Sequence, residues 1–154
     1  MGINELAANY EQATQLFLEA VAELSPADFD SAPVGEWTPR QIIHHQAHAD
    51  AYCLTRIIQI VSEPGTQIRS FSEVALVDSE ILAYATTPID SSVALFKAVR
   101  TESLRIIKSA KDFDLSKICL HSELGEISLE MMVVRYTEHP LGHAQQIRKT
   151  IKKH

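Results

Sequence analysis

Apolar residues recur at steps of three and four along most of the chain, a spacing that predicts helices each packed by one face. Leu6, Ala7, Tyr10, Ala13, Phe17, Ala20, Val21 and Leu24 keep this spacing and predict a helix from about Ile3 to Leu24. Ser25 and Pro26 then suit the cap and first position of a short helical turn. Residues 31–36 read as loop. After Trp37, the pair Thr38-Pro39 opens a second helix reaching about Ser62, where Glu63, Pro64 and Gly65 end it. Thr66 to Phe71 is expected to be extended, and a shorter helix should span Ser72 to Tyr84. Asp90, Ser91 and Ser92 cap a long helix to Ala110 carrying Val93, Leu95, Phe96, Val99, Leu104, Ile106 and Ile107. Gly125 marks a turn in a hairpin-like segment from Cys119 to Ile127, and Ser128 opens the last helix with Glu130 in its first turn. Four long helices and one short one predict an all-α protein, a four-helix bundle with a short extra helix.

Composition narrows the picture. The 154 residues are 45% hydrophobic and 22% charged, with 5 glycines and 6 prolines, which suits one helical domain over residues 1–154. The net charge of −6 and the absence of a basic cluster argue against a nucleic-acid partner. No apolar run approaches the ~20 residues that cross a bilayer, so no membrane partner is expected. The start MGINELAANYEQ lacks the pattern of a signal peptide, and Leu6 stands where a myristoylation signal wants Ser or Thr. Cys53 and Cys119 are far apart and suggest neither a thiol metal site nor a disulfide, so a cytoplasmic location is the simplest expectation. The basic run Arg148, Lys149, Lys152 and Lys153 would oppose the negative end of the last helix dipole.

The chemistry collects on histidines. His139 and His143 stand four apart, so both imidazoles project from one helical face. Two rings so spaced can grip one ion, as in the H-E-x-x-H zinc helix, but Pro140, Leu141 and Gly142 fill the gap and the protease glutamate is missing. Pro140 removes a helical hydrogen bond and crowds the carbonyl of Tyr136, at ~3 kcal/mol in a helix interior. Either the helix bends there to aim ligands, or it breaks at His139 and restarts. On the second helix, Gln41, His45, His48 and Tyr52 form one stripe, while His44 and His48 form a rival pair four apart. Spacing does not choose between His44 and His45.

These segments match a known family. The chain resembles the DinB/YfiT-like superfamily of helical bundles with metal-dependent activity, closest to its YfiT-type branch. The likeness rests on Trp37-Thr-Pro-Arg-Gln-Ile-Ile-His-His45, similar to W-[ST]-x-R-Q-x-x-H-H. It continues through His121-Ser-Glu-Leu-Gly-Glu-Ile-Ser-Leu129 and ends at Tyr136-Thr-Glu-His-Pro-Leu-Gly-His143, similar to Y-x-x-H-x-x-x-H. The resemblance implies metal ligands at His45, His139 and His143. Gly142 replaces a histidine that the family often carries, Gln146 matches a family His or Gln position, and Pro140 is unusual against the pattern.

Three neutral imidazoles leave coordination positions open for water or substrate and suit Zn²⁺ or Ni²⁺ best. Such a site could act as a hydrolase by activating water on the ion. The resemblance also implies thiol transfer, with a bacillithiol- or glutathione-type thiol on the metal, and a non-catalytic metal-binding stress protein is a third reading. Gln41, Tyr136 and His48 are candidate orienting or proton-transfer groups and Glu138 a candidate base; each could equally be packing or solvated surface. Trp37 is read as a core anchor. The resemblance further implies a homodimer, and the expected partner of the site is a small-molecule substrate.

Overall fold

Thr38 shows how local chemistry sets an element boundary. Its Oγ1 accepts from the Gln41 N–H at 3.3 Å while the Thr38 N–H donates to Gln41 Oε1 at 2.9 Å, a reciprocal capping box. Pro39 follows at the first helical position, where a missing N–H costs nothing. Thr38→Ala is expected to lower stability by ~1 kcal/mol. Thermal unfolding checks this, and an unchanged midpoint would mean the box is idle.

The computed structural model describes residues 1–151 and contains α1 (Ile3–Ala22), α2 (Pro39–Ser62), β1 (Gln67–Ile68) and α3 (Glu73–Val77). After these come α4 (Asp90–Ser109), a 3-10 turn (Asp112–Ser116), β2 (Ile118–His121), β3 (Gly125–Ser128) and α5 (Leu129–Ile151). It is a four-helix bundle with a short extra helix. α1 packs on α5 and α2 on α4, and α2–α5 and α1–α4 contacts close the ring, so α1 lies diagonal to α2 and α4 diagonal to α5. At one end β2 pairs antiparallel with β3 and parallel with β1. No helix among the described residues is long and apolar enough to cross a membrane.

Several boundaries differ from those the sequence predicts. α1 ends at Ala22, not Leu24. After Ser25 the chain makes the expected short turn, over residues 26–30: the Asp28 N–H donates to the Ser25 carbonyl at 3.0 Å, and the Ser25 N–H and hydroxyl both donate to Asp28 Oδ2, at 2.8 and 2.6 Å. The helix expected over Ser72 to Tyr84 stops at Val77. Ser79 Oγ accepts the Leu82 N–H at 3.3 Å and Ala83 takes a left-handed φ of 46°, which turns the chain and sends Tyr84 into the core. Asp90, Ser91 and Ser92 lie inside α4, whose N-cap is Ile89 with no side-chain cap bond. Ser128 does cap α5, its Oγ accepting from the Met131 N–H at 3.1 Å. Lys152 and Lys153 lie outside the described residues, and Arg148 pairs with Glu23, the C-cap residue of α1, at 2.9 Å.

Two apolar clusters fill the bundle. One, next to the sheet, includes Leu6, Tyr10, Cys53, Ile57, Met132 and Tyr136; the other includes Phe17, Ile42, Ile43, Phe96, Ala144 and Ile147. Buried polar side chains also lie within the bundle. Arg100 of α4, only 1% exposed, donates to Asp50 Oδ1 of α2 at 3.0 Å, Thr14 Oγ1 at 2.8 Å and the Tyr10 carbonyl at 2.9 Å. It also donates to the Tyr136 carbonyl at 2.7 Å. That last bond resolves the Pro140 question. α5 runs unbroken through Pro140, which has no N–H to offer the carbonyl four residues back, and Arg100 supplies the missing donor.

Candidate metal centre

His45 is on the second turn of α2, which the capping box has set in register; His139 and His143 come from adjacent turns of α5. Their Nε2 atoms meet. His139 Nε2 lies 3.2 Å from His45 Nε2 and 3.1 Å from His143 Nε2, and each of the three offers a ligand atom within 4.8 Å of the others. Trp37 covers the cluster, its ring centroid 5.0 Å from that of His45 and 6.4 Å from that of His143. It also packs on the second apolar cluster, so core anchoring and site shaping are one role.

The electrostatics keep these rings neutral. Burial, then the neighbouring imidazoles, push the His45 pKa down to about 4 and that of His139 to about 3. Burial also lowers His143, opposed by a hydrogen bond to Gln146. At neutral pH the three nitrogens therefore carry no proton charge that would repel a cation.

The tautomer of His143 is set. Its Nδ1 meets Gln146 Oε1 at 3.0 Å; a carbonyl oxygen only accepts, so Nδ1 holds the proton and Nε2 presents a lone pair to the cluster. The buried Nδ1 atoms of His45 and His139 have no protein partner. Nitrogens bound at roughly 2.1 Å lie roughly 3.0 Å apart on an octahedral face and roughly 3.4 Å apart in a tetrahedron. The two spacings from His139, 3.2 and 3.1 Å, fall between these values. The donor set fits a divalent metal.

His44 is placed differently. Its Nε2 faces the Thr87 carbonyl at 2.9 Å and so donates, which leaves Nδ1 to accept from Ser92 Oγ at 2.7 Å. Both nitrogens are committed, and the ring is absent from the cluster. His48 bonds the Tyr84 hydroxyl and lines a separate cavity with Tyr52 and Leu82. Gln41 stands in the capping box, its amide oxygen bound to Thr38.

A cavity of about 450 Å³ opens over the cluster, with His139 and His143 in its wall. Tyr136 lines it, its hydroxyl accepting from Arg56 at 2.9 Å, and Glu138 lies exposed at its edge. Sequence reasoning missed Glu73. This half-exposed carboxylate at the start of α3 brings Oε1 to 4.0 Å from His45 Nε2. The N-cap Ser72 that fixes the start of α3 was legible, but nothing in the spacing aims α3 at α2.

Fold and site together define a four-helix-bundle protein with a three-histidine cluster, able to hold a metal ion, beneath an open cavity. The chain belongs to the DinB superfamily, whose family model matches residues 9–147. It is similar to a protein of Oceanobacillus iheyensis named "Putative metal-dependent hydrolase OB0782", 26% identical over 152 residues, or 98% of this chain and 87% of that protein. A Bacillus cereus protein named "Putative metal-dependent hydrolase" is 25% identical over 139 residues, 88% of this chain and 77% of the relative. Among solved structures, YfiT from Bacillus subtilis, described as "a probable metal-dependent hydrolase with an unusual four-helix bundle topology", superimposes with a TM-score of 0.88. That match covers 98% of this chain and 86% of the other at 20% identity, and it confirms the fold.

Proposed function

We propose that the protein is a metal-dependent hydrolase in which His45, His139 and His143 hold one divalent ion, zinc or nickel. The observation that carries this reading is the convergence of three neutral Nε2 atoms beside a cavity large enough for a small substrate. When bound, such an ion supplies Lewis acidity, bringing the pKa of a water toward ~7 and polarising an ester or amide carbonyl.

The chain's own groups do the rest. Gln146 holds His143 in the ligating tautomer. Glu73 Oε1 is placed to take a proton at the cavity side of His45. The Tyr136 hydroxyl accepts from Arg56 and keeps its own proton to donate; burial pushes its pKa up, so that proton stays in place at neutral pH. Trp37 shields the cluster on one side.

Elemental analysis of the purified protein beside His44→Ala and His45→Ala tests the ligand set. About one equivalent of metal should be found in the first two and lost from His45→Ala, because only His44 has both nitrogens bound elsewhere. Metal loss from His44→Ala alone would overturn the assignment. For the activity, a zinc- or nickel-loaded sample should hydrolyse esters or amides until chelated. Turnover that survives chelation, or that consumes a thiol and an electrophile instead, would replace the hydrolase reading. The paired assembly implied by the resemblance belongs to the same proposal and is read by light scattering.

A further inference from the structure

Arg56 is a buried charge with no counter-ion among the described residues. It is 6% exposed, and the bonds it makes go to neutral oxygens: Nη1 to the Tyr136 hydroxyl at 2.9 Å and Nη2 to the Arg69 carbonyl at 2.8 Å. Its guanidinium stands 5.1 Å from the centroid of the Phe71 ring. Among the described residues no carboxylate forms an ion pair with it, and Asp50 is bound to Arg100 and Gln46. A desolvated cation left unpaired is costly, and a guanidinium has five N–H donors in a fork that suits a planar oxyanion.

The surroundings of Arg56 favour the same ligand. It lines the cavity over the three histidines, as do His121 and Tyr136. His121 is 8% exposed, and its Nδ1 accepts from the backbone N–H groups of Glu123 and Leu124 at 3.2 and 3.4 Å. The ring proton is therefore on Nε2, a donor. The buried part of the wall thus holds a guanidinium, an imidazole N–H and a phenol O–H. The other charged groups of the cavity, Glu73, Glu123, Glu138 and Arg135, are exposed. Charge is sorted by depth: cationic and donating inside, mainly acidic outside.

We infer that Arg56, with His121 and Tyr136, is a recognition site for a carboxylate on the substrate, which sets the scissile bond toward the histidine cluster. A carboxylate fits better than a phosphate, because three exposed glutamates repel a second negative charge. The substrate class is then a small carboxylic acid carrying an ester or amide, such as an N-acyl amino acid. The class of reaction rests on the hydrolase reading; the anion site does not.

Calorimetric titration of metal-free protein with hippurate, hippuramide and inorganic phosphate tests the site with no turnover and no ion for the carboxylate to bind. Hippurate should bind at least about tenfold more tightly than its amide, the worth of one charge-assisted hydrogen bond, and more tightly than phosphate. Arg56→Met should erase the preference for acid over amide, Arg56→Lys should keep part of it, and Arg135→Gln should keep most. Equal affinity of the wild-type protein for acid and amide overturns the proposal without any variant, and preference for phosphate overturns the choice of carboxylate. If the protein takes up no metal yet prefers the acid, the metal reading fails and the anion site stands.

Discussion

Replacing His139 with Ala is expected to weaken divalent-metal binding by at least about 10²-fold, more than the roughly 10–100-fold that follows loss of an outer hydrogen-bond partner. His139 contributes the nitrogen that contacts both of the others, at 3.2 and 3.1 Å, so its removal leaves two imidazoles from different helices with nothing between them. Gln146→Leu should show the smaller effect, because it frees the His143 tautomer but removes no ligand. Competition against a chromophoric chelator gives both numbers. Wild-type affinity in His139→Ala would end the three-histidine proposal, and a Gln146→Leu loss as large as that of His139→Ala would show that the tautomer, not the ligand count, limits binding.

Arg100→Met is expected to destabilise the fold by about 3–5 kcal/mol, the range for removing one partner of a buried ion pair. It leaves the Asp50 carboxylate, 1% exposed, with no counter-ion and only the Gln46 amide as donor, and strands the Tyr136 carbonyl that Pro140 has already deprived of its helical donor. Burial raises the Asp50 pKa even against the pull of Arg100, which shows how poorly that carboxyl tolerates isolation. At roughly 2–4 °C per kcal/mol for a chain of this size, the melting temperature should fall on the order of 10 °C. Adding Asp50→Ala should restore part of the loss, because no lone buried charge then remains. A fall of less than about 1 kcal/mol in Arg100→Met would mean that Asp50 and the carbonyl find other partners.

Much of the fold was legible because it rests on local signals. Thr38-Pro39 gives the start of α2, Pro64-Gly65 its end, and Gly125, with a φ of 73°, the turn between β2 and β3. The spacing of His139 and His143 survives Pro140 because α5 does not break. What stayed hidden depends on contacts between distant segments. The parallel pairing of β1 with β2 joins short runs some 50 residues apart, beyond any periodic signal. Gln41 shares a stripe with His45, yet the helix terminus claims its amide first. Arg56 and Arg100 are buried, where charged residues are seldom found. One clue to Arg100 was available: an unbroken helix through Pro140 implies a donor for the Tyr136 carbonyl, and Arg and Asp at helical core positions are where to look for it.

The reach of Arg100 to all four long helices has a bearing on how the cluster is built. With its guanidinium tied to α1, α2 and the proline turn of α5, the rod bearing His139 and His143 can neither roll nor slide against the rod bearing His45 without tearing those ties. The socket is thus cut by the scaffold rather than moulded by its occupant, and it would grip whatever ion matches its bore.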